Sequence, residues 1–259
     1  MKASKIVKII SLALALVFAC TAFAGCGDSK QDKLVMATNA AFPPYEFKDG
    51  DTFKGIDVEI AGLIAEKLGK KLEIADVDFG AIIGGVQTGK YDMGMAGMTV
   101  TDERKKSVNF SDTYATGIQS VIVKEGSDIK SVDDIAAAVK NGGKIGVQQD
   151  TTGDIYASDT EDNGGYGEAN VTRFKAGADA VQALVTDKVC CVIIDNEPAK
   201  SFVSTNKGLK ILDTEFAVED YAICVSKDNT DLLNSINKAL GELKSEGKID
   251  EIVKKYIPA

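Results

Sequence analysis

Apolar and polar positions along this chain come in blocks, and the period changes from block to block. Lys33-Leu34-Val35-Met36-Ala37-Thr38 is a short, nearly continuous apolar run of strand length. Residues 57–68 then place Val58, Ile60, Ala61, Ile64, Ala65 and Leu68 on one face of a helix that Gly69 stops. The exchange repeats, with a strand at 71–75, a helix at 79–87 and strands at 93–97 and 119–123. A helix at 132–139, a strand at 144–147, a helix at 176–185 and a strand at 189–194 follow. Helices at 230–246 and 248–256 close the chain. Strands alternating with helices predict an α/β fold with largely parallel sheets. Residues 158–167 are acidic and Gly-rich without an apolar period, and are read as loop.

The first residues follow a different logic. Lys2, Lys5 and Lys8 precede an apolar run at 9–19, shorter than the roughly 20 residues needed to cross a bilayer. A basic start and a short apolar stretch read as a signal peptide over 1–25. Phe23-Ala24-Gly25-Cys26 resembles a bacterial lipobox, with Phe23 where Leu is usual, and a polar tether at 26–32 follows. A lipidated Cys26 would hold the protein at the outer face of the cytoplasmic membrane, or in the periplasm of a cell with an outer membrane. The alternative is cleavage after Ala22-Phe23-Ala24, leaving Cys26 a free thiol.

Composition narrows the function. The 259 residues are 44% hydrophobic, enough for a sizeable core in one or two domains. Basic residues number 30 against 39 acidic; losing the three leader lysines leaves 27 against 39, a charge near −12. Nucleic acid is a poor partner for such a surface. The chain has no His, which removes Ser-His-Asp and Cys-His nucleophiles and His-ligated metals. Cys190, Cys191 and Cys224 sit in apolar runs and read as buried thiols, since adjacent strand residues face opposite ways. Gly84-Gly85-Val86-Gln87-Thr88-Gly89-Lys90 has P-loop spacing, but Tyr91 stands where a hydroxyl must bind magnesium. It is read as a helix C-terminus.

A set of segments then points one way. Phe42-Pro43-Pro44-Tyr45-Glu46-Phe47 precedes Gly55-Ile56-Asp57-Val58-Glu59-Ile60 and Tyr91-Asp92-Met93. Gly97-Met98-Thr99-Val100-Thr101-Asp102-Glu103-Arg104-Lys105-Lys106 and Phe110-Ser111-Asp112 follow. Gly146-Val147-Gln148-Gln149-Asp150-Thr151-Thr152-Gly153 and Val192-Ile193-Ile194-Asp195-Asn196 complete it. In this order they resemble the polar amino-acid substrate-binding proteins of ABC importers, a group that includes glutamine-, histidine- and lysine/arginine/ornithine-binding proteins.

The resemblance implies a ligand site, and the chemistry of the residues suits it. Arg104 can grip a ligand carboxylate bidentately; otherwise it would pair with Asp102 or Glu103. Thr99 can add a hydroxyl and a backbone N–H, and Gly97 lets a ligand approach, with Met98 between them. Thr151 and Thr152 precede a short predicted helix, where Thr152 could be a second carboxylate clamp or simply an N-cap. Gln148 belongs to the same segment, and Gly is usual in the family where Asp150 stands. Asp195 would receive the ligand ammonium; its alternative is to cap the helix starting at Asn196-Glu197-Pro198. Phe42 and Phe79 match aromatics stacked on the ligand side chain, or are plain core residues. Asn39 and Glu46 are candidate side-chain contacts; basic-amino-acid binders often carry Asp where Asn39 stands.

The implied architecture is a two-lobe periplasmic-binding-protein fold of type II, each lobe a mainly parallel sheet flanked by helices. Lobe 1 would be 33–115 plus 220–259, and lobe 2 would be 116–219. The expected ligand is a free polar or basic L-amino acid such as glutamine, arginine, lysine or histidine. The expected partners are the permease and ATPase subunits of an importer, with the protein a monomer. No cofactor, metal or covalent step is implied. Two rival readings remain: an enzyme like the cyclohexadienyl dehydratases that share this fold, and the ligand-sensing part of a signalling system.

Overall fold

The computed structural model describes residues 32–213 and 217–258. The expected signal peptide, Cys26 and all of the tether before Asp32 lie outside the described residues. In chain order the elements begin with β1 (Lys33–Thr38), β2 (Ala41–Phe42), β3 (Glu46–Asp49), β4 (Thr52–Lys54), α1 (Ile56–Lys67), β5 (Lys71–Asp76), α2 (Ala81–Gln87) and β6 (Met93–Gly94). Next come α3 (Asp102–Ser107), β7 (Val108–Phe110), β8 (Ala115–Lys124), α4 (Asp134–Lys140), β9 (Ile145–Gln148), α5 (Thr152–Ser158), β10 (Val171–Phe174) and α6 (Gly177–Val185). The last are β11 (Cys191–Asp195), α7 (Asn196–Thr205), β12 (Leu209–Ile211), β13 (Ala217–Tyr221), β14 (Cys224–Ser226), α8 (Thr230–Ser245) and α9 (Lys248–Tyr256). No helix among the described residues is long and apolar enough to cross a membrane.

Two sheets carry the fold. One runs β5-β1-β6-β14-β7, and the other β10-β9-β11-β8-β12, with β13 also paired to β8. Strands read from apolar runs supply parallel pairs, β1 with β6 and β9 with β11, and β10, which the sequence did not suggest, lies parallel to β9 on its other side. β14 lies antiparallel to β6 and β7, and β8 antiparallel to β11, β12 and β13. The pairing is therefore mixed, because β8 and β13 each carry the chain between the sheets and must enter against the βα direction. A hairpin sheet, β2-β3-β4, adjoins the first.

Local chemistry fixes the helices that matter. Gly55 has φ of 125°, and a Cβ there would lie 2.1 Å from the Tyr45 carbonyl oxygen, so glycine is required where α1 begins. α1 then buries Ile56, Ile60, Ala61 and Ile64 against the first sheet and ends at Gly69, with φ of 65°. α8 starts at an Asn229 cap whose side chain accepts the Leu232 N–H at 3.3 Å, and buries Ile236, Leu240 and Leu243. The P-loop-like segment is the end of α2, and a Cβ on Gly85 would lie 2.4 Å from the Tyr91 ring. Cys191 and Cys224 are buried free thiols and Cys190 is half-buried.

Candidate functional site

The turn after β6 builds one side of a cavity. Asp57, buried in the first turn of α1, accepts the Gly97 N–H at 2.8 Å and the Tyr114 hydroxyl at 2.8 Å. Gly97 takes φ of 51°, and a Cβ there would come within 3.1 Å of the Phe42 ring. Thr101 then caps α3, its hydroxyl accepting the Arg104 N–H at 3.1 Å. This brings the Arg104 side chain in until only 7% of the residue is exposed. Its Nη1 donates to the Thr99 carbonyl at 2.8 Å and its Nη2 to the Asp150 carbonyl at 3.0 Å. The Phe79 ring centre is 5.3 Å from the guanidinium carbon. Asp102 and Glu103 pair with Lys105 and Lys106 at the surface and leave Arg104 alone.

The second sheet supplies the other side. Gln148, ending β9, donates from Nε2 to Asn39 Oδ1 at 2.9 Å. Asp150 adopts φ of 65°, a left-handed position that Asp tolerates and Gly fills without strain. Thr151 is the cap of α5, accepting the Asp154 N–H at 3.4 Å; Thr152 does not cap. Asp195 closes β11 opposite Gln119 of β8. Its Oδ2 accepts from Gln119 Nε2 at 2.8 Å, and its Oδ1 accepts from the Tyr221 hydroxyl. It occupies the N-cap place of α7 but makes no capping bond.

Together these groups line a narrow cleft, with about 300 Å³ of space between them that is continuous with solvent. Asn39, Phe42, Glu46, Phe79, Gly97, Thr99 and Arg104 line it from the strands, turns and helix α3 around the first sheet; Gln148, Thr151, Thr152 and Asp195 line it from the strand ends and helix α5 of the second. Met98 does not. It is fully buried in a core cluster with Ile82, Val86 and Val108. Side chains of successive extended residues point to opposite faces, so Thr99 turning toward the cavity sends Met98 into the core. Ala96 takes a place on the wall that the sequence did not suggest.

Electrostatics make the site unusual for a protein interior. Burial, and next the nearby Glu219, push the Asp195 carboxyl up to about 8. Burial and then Asp57 drive Glu46 well above the usual carboxylate range, and Glu46 Oε2 has no hydrogen-bond partner among the described residues. Burial lifts Asp57 to about 6, opposed by the Gly97 N–H and the Tyr114 hydroxyl. Burial lowers the Arg104 guanidinium, opposed first by Glu219. One cation thus shares the cavity with two carboxyls that resist ionising unless a positive group joins them.

Sequence reasoning missed Gln119, Glu219 and Tyr221, which surround Asp195. Gln119 and Glu219 are polar yet buried, at 0% and 4% exposure. The signal available was a Gln opening the apolar run at 119–123 and an acid beside an apolar strand; both look like ordinary strand edges.

Known proteins share this arrangement of sheets. The arginine-binding extracellular protein ArtP of Bacillus subtilis is 33% identical over 254 residues, 94% of this chain and 96% of its own. A solved structure of an ancestral arginine-binding protein bound to glutamine is 40% identical, with a TM-score of 0.79, covering 88% of this chain and 99% of that one. An ancestral amino acid-binding protein, AncCDT-1, a precursor of cyclohexadienyl dehydratase, is 30% identical with a TM-score of 0.78, over 88% and 96% of the two chains. The fold is the two-lobe, type II periplasmic-binding-protein fold. The profile of the bacterial extracellular solute-binding proteins, family 3, matches from Leu34 to the end of the chain at 259, and the chain belongs to that family.

Proposed function

We propose that this protein captures free L-arginine, or a close cationic amino acid, outside the cytoplasm and delivers it to the permease and ATPase of an ABC importer. The observation that carries the reading is the meeting of Arg104, from helix α3, and Asp195, from the end of strand β11, at one cavity. A zwitterion offers each its opposite: carboxylate to the guanidinium, ammonium to Asp195. Glu46 remains, buried and short of a partner, and a third, cationic group on the ligand satisfies it. Phe42 and Phe79 give a flat apolar slot for the stem and the guanidinium. The arginine-binding names of ArtP and of the ancestral protein support the same choice.

The proposed lobes are 33–115 with 220–259, and 116–219, with β8 and β13 as the connecting hinge. Ligand held by both lobes favours the closed state through its greater affinity for it, and the closed lobes form the surface that the permease reads. The leader at 1–25 and lipidation of Cys26 would keep the monomer on the membrane beside its importer. Binding without turnover is the proposed role.

Calorimetric titration with each free amino acid tests this. Arginine should bind most tightly, followed by lysine or glutamine. A protein that binds none of them, or that converts arogenate or prephenate, overturns the reading.

A further inference from the structure

We propose that Glu219 is a positioning residue of the cavity: its carboxylate draws the hydroxyl protons of Thr99 and Thr152 away, leaving both oxygens as acceptors for a ligand ammonium beside Asp195. This rests on the amino-acid reading above.

Glu219 sits on β13, opposite Gly117 of β8, and is 4% exposed. Its Oε2 is 2.9 Å from Thr99 Oγ1, 3.0 Å from Thr152 Oγ1 and 3.1 Å from Gln119 Nε2. A carboxylate only accepts, and each hydroxyl has a single proton to give. Both threonine protons are therefore spent on Glu219, and what the two oxygens, 3.5 Å apart, can still offer is lone pairs. The same Gln119 Nε2 donates to Asp195 Oδ2 at 2.8 Å, which ties the two carboxylates to one nitrogen. Thr99, Thr152 and Asp195 all line the cavity. An ammonium has three N–H donors, one for each.

The arrangement also bears on Thr152. As a carboxylate clamp it would act through its backbone N–H, and its hydroxyl is committed to Glu219. Glu219 is not among the residues that line the cavity, and its Oε1 has no hydrogen-bond partner within geometric reach among the described residues. The charged and titratable groups around it are Arg104, Asp195 and the Tyr156 hydroxyl. The Tyr156 side chain also hydrogen-bonds Glu219; a buried carboxylate is costly as a purely structural element, and as the acceptor that orients two hydroxyls it has a use.

The test compares two ligands that differ only in the group concerned. L-Arginine and 5-guanidinopentanoate share guanidinium and carboxylate, and only arginine has the ammonium. Glu219→Met keeps length and removes both acceptors. It should weaken arginine about 10-fold or more, the size of a charge-assisted hydrogen bond, and the des-amino acid about 3-fold or less. Equal losses for both ligands, or unchanged arginine binding, overturn the proposal. A second measurement uses arginine alone: in the Thr99→Val, Thr152→Val double variant, adding E219M should cost little more, and additive losses overturn it. Thermal unfolding of each variant checks the fold, and E219Q, whose amide can present N–H to the hydroxyls, replaces E219M if the latter does not fold. Wild-type protein that fails to bind arginine sinks the underlying reading; wild-type binding with unselective loss sinks this inference alone.

Discussion

The two charged groups of the cavity are held in different ways. Arg104 is fixed by backbone carbonyls of Thr99 and Asp150 and by the Phe79 face. Asp195 is held by side chains, the Gln119 amide and the Tyr221 hydroxyl, next to a second carboxylate. Backbone donors and acceptors cannot rotate away or titrate, so the Arg104 end is preset. The Asp195 end carries its charge only when something positive arrives. Grip on a carboxylate is therefore built in, and selection for an amine is where protonation enters.

Variants at the two ends should separate these roles. Arg104→Ala has the largest expected effect, because a ligand carboxylate would be buried without its cation. Loss of about 3–5 kcal/mol in arginine affinity is expected by calorimetry, and an unchanged affinity would remove Arg104 from the site. Asp195→Asn keeps an acceptor and loses the charge, so about 1.5–3 kcal/mol is expected.

The pH dependence sharpens the comparison further. In the ligand-free protein the Asp195 carboxyl is held at about 8, against about 3.9 for an unfolded Asp. The folded state thus binds the proton more tightly. Its stabilising effect is complete below the unfolded value and lost as pH rises through about 8. Glu46, also raised, acts in the same sense. Ligand-free Tm should fall between pH 5 and 8, while arginine binding tightens over the same interval. Asp195→Asn should flatten both curves, and R104A should leave the slopes in place. Matching slopes in wild type and D195N would assign the titration to another group.

Glu46→Gln tests the third group. About 10-fold weaker arginine binding is expected, from loss of a charge-assisted contact, with glutamine binding almost unchanged. Equal effects on both ligands would take Glu46 away from the side-chain end. Phe79→Leu is the mildest change: it keeps apolar volume and loses the ring face, for a few-fold loss in affinity, about 0.5–1 kcal/mol.

The sequence and the structure part company at identifiable places. Helices α1, α8 and α9 and the buried parallel strands were legible, since their period or apolar run comes from facing a core on one side or two. The hairpin at β2 to β4 was not: Pro43-Pro44 and Gly50 interrupt it, and its strands are two to four residues long. β13 escaped because Ala217-Val218-Glu219-Asp220-Tyr221 alternates weakly and carries two acids. Of the candidate site, Arg104, Asp195, Phe42 and Phe79 could be named from motif order. Met98 could not be told from its neighbours, because a left-handed turn at Gly97 decides which side chain faces the cavity. Gln119 and Glu219 were hidden for a general reason: a buried polar residue looks like a surface one until its partners, here 33 to 120 positions away, are placed.

Affinity of the wild-type protein for three related ligands tests the opposite-charge grip most directly. L-Arginine carries both α groups, agmatine lacks the carboxylate, and 5-guanidinopentanoate lacks the ammonium. Arginine should bind at least about 100-fold more tightly than either, since agmatine leaves the buried Arg104 guanidinium without its anion and the des-amino acid forfeits the charge-assisted bonds to Asp195, about 3 kcal/mol in each case. Agmatine or the des-amino acid binding as tightly as arginine would contradict it.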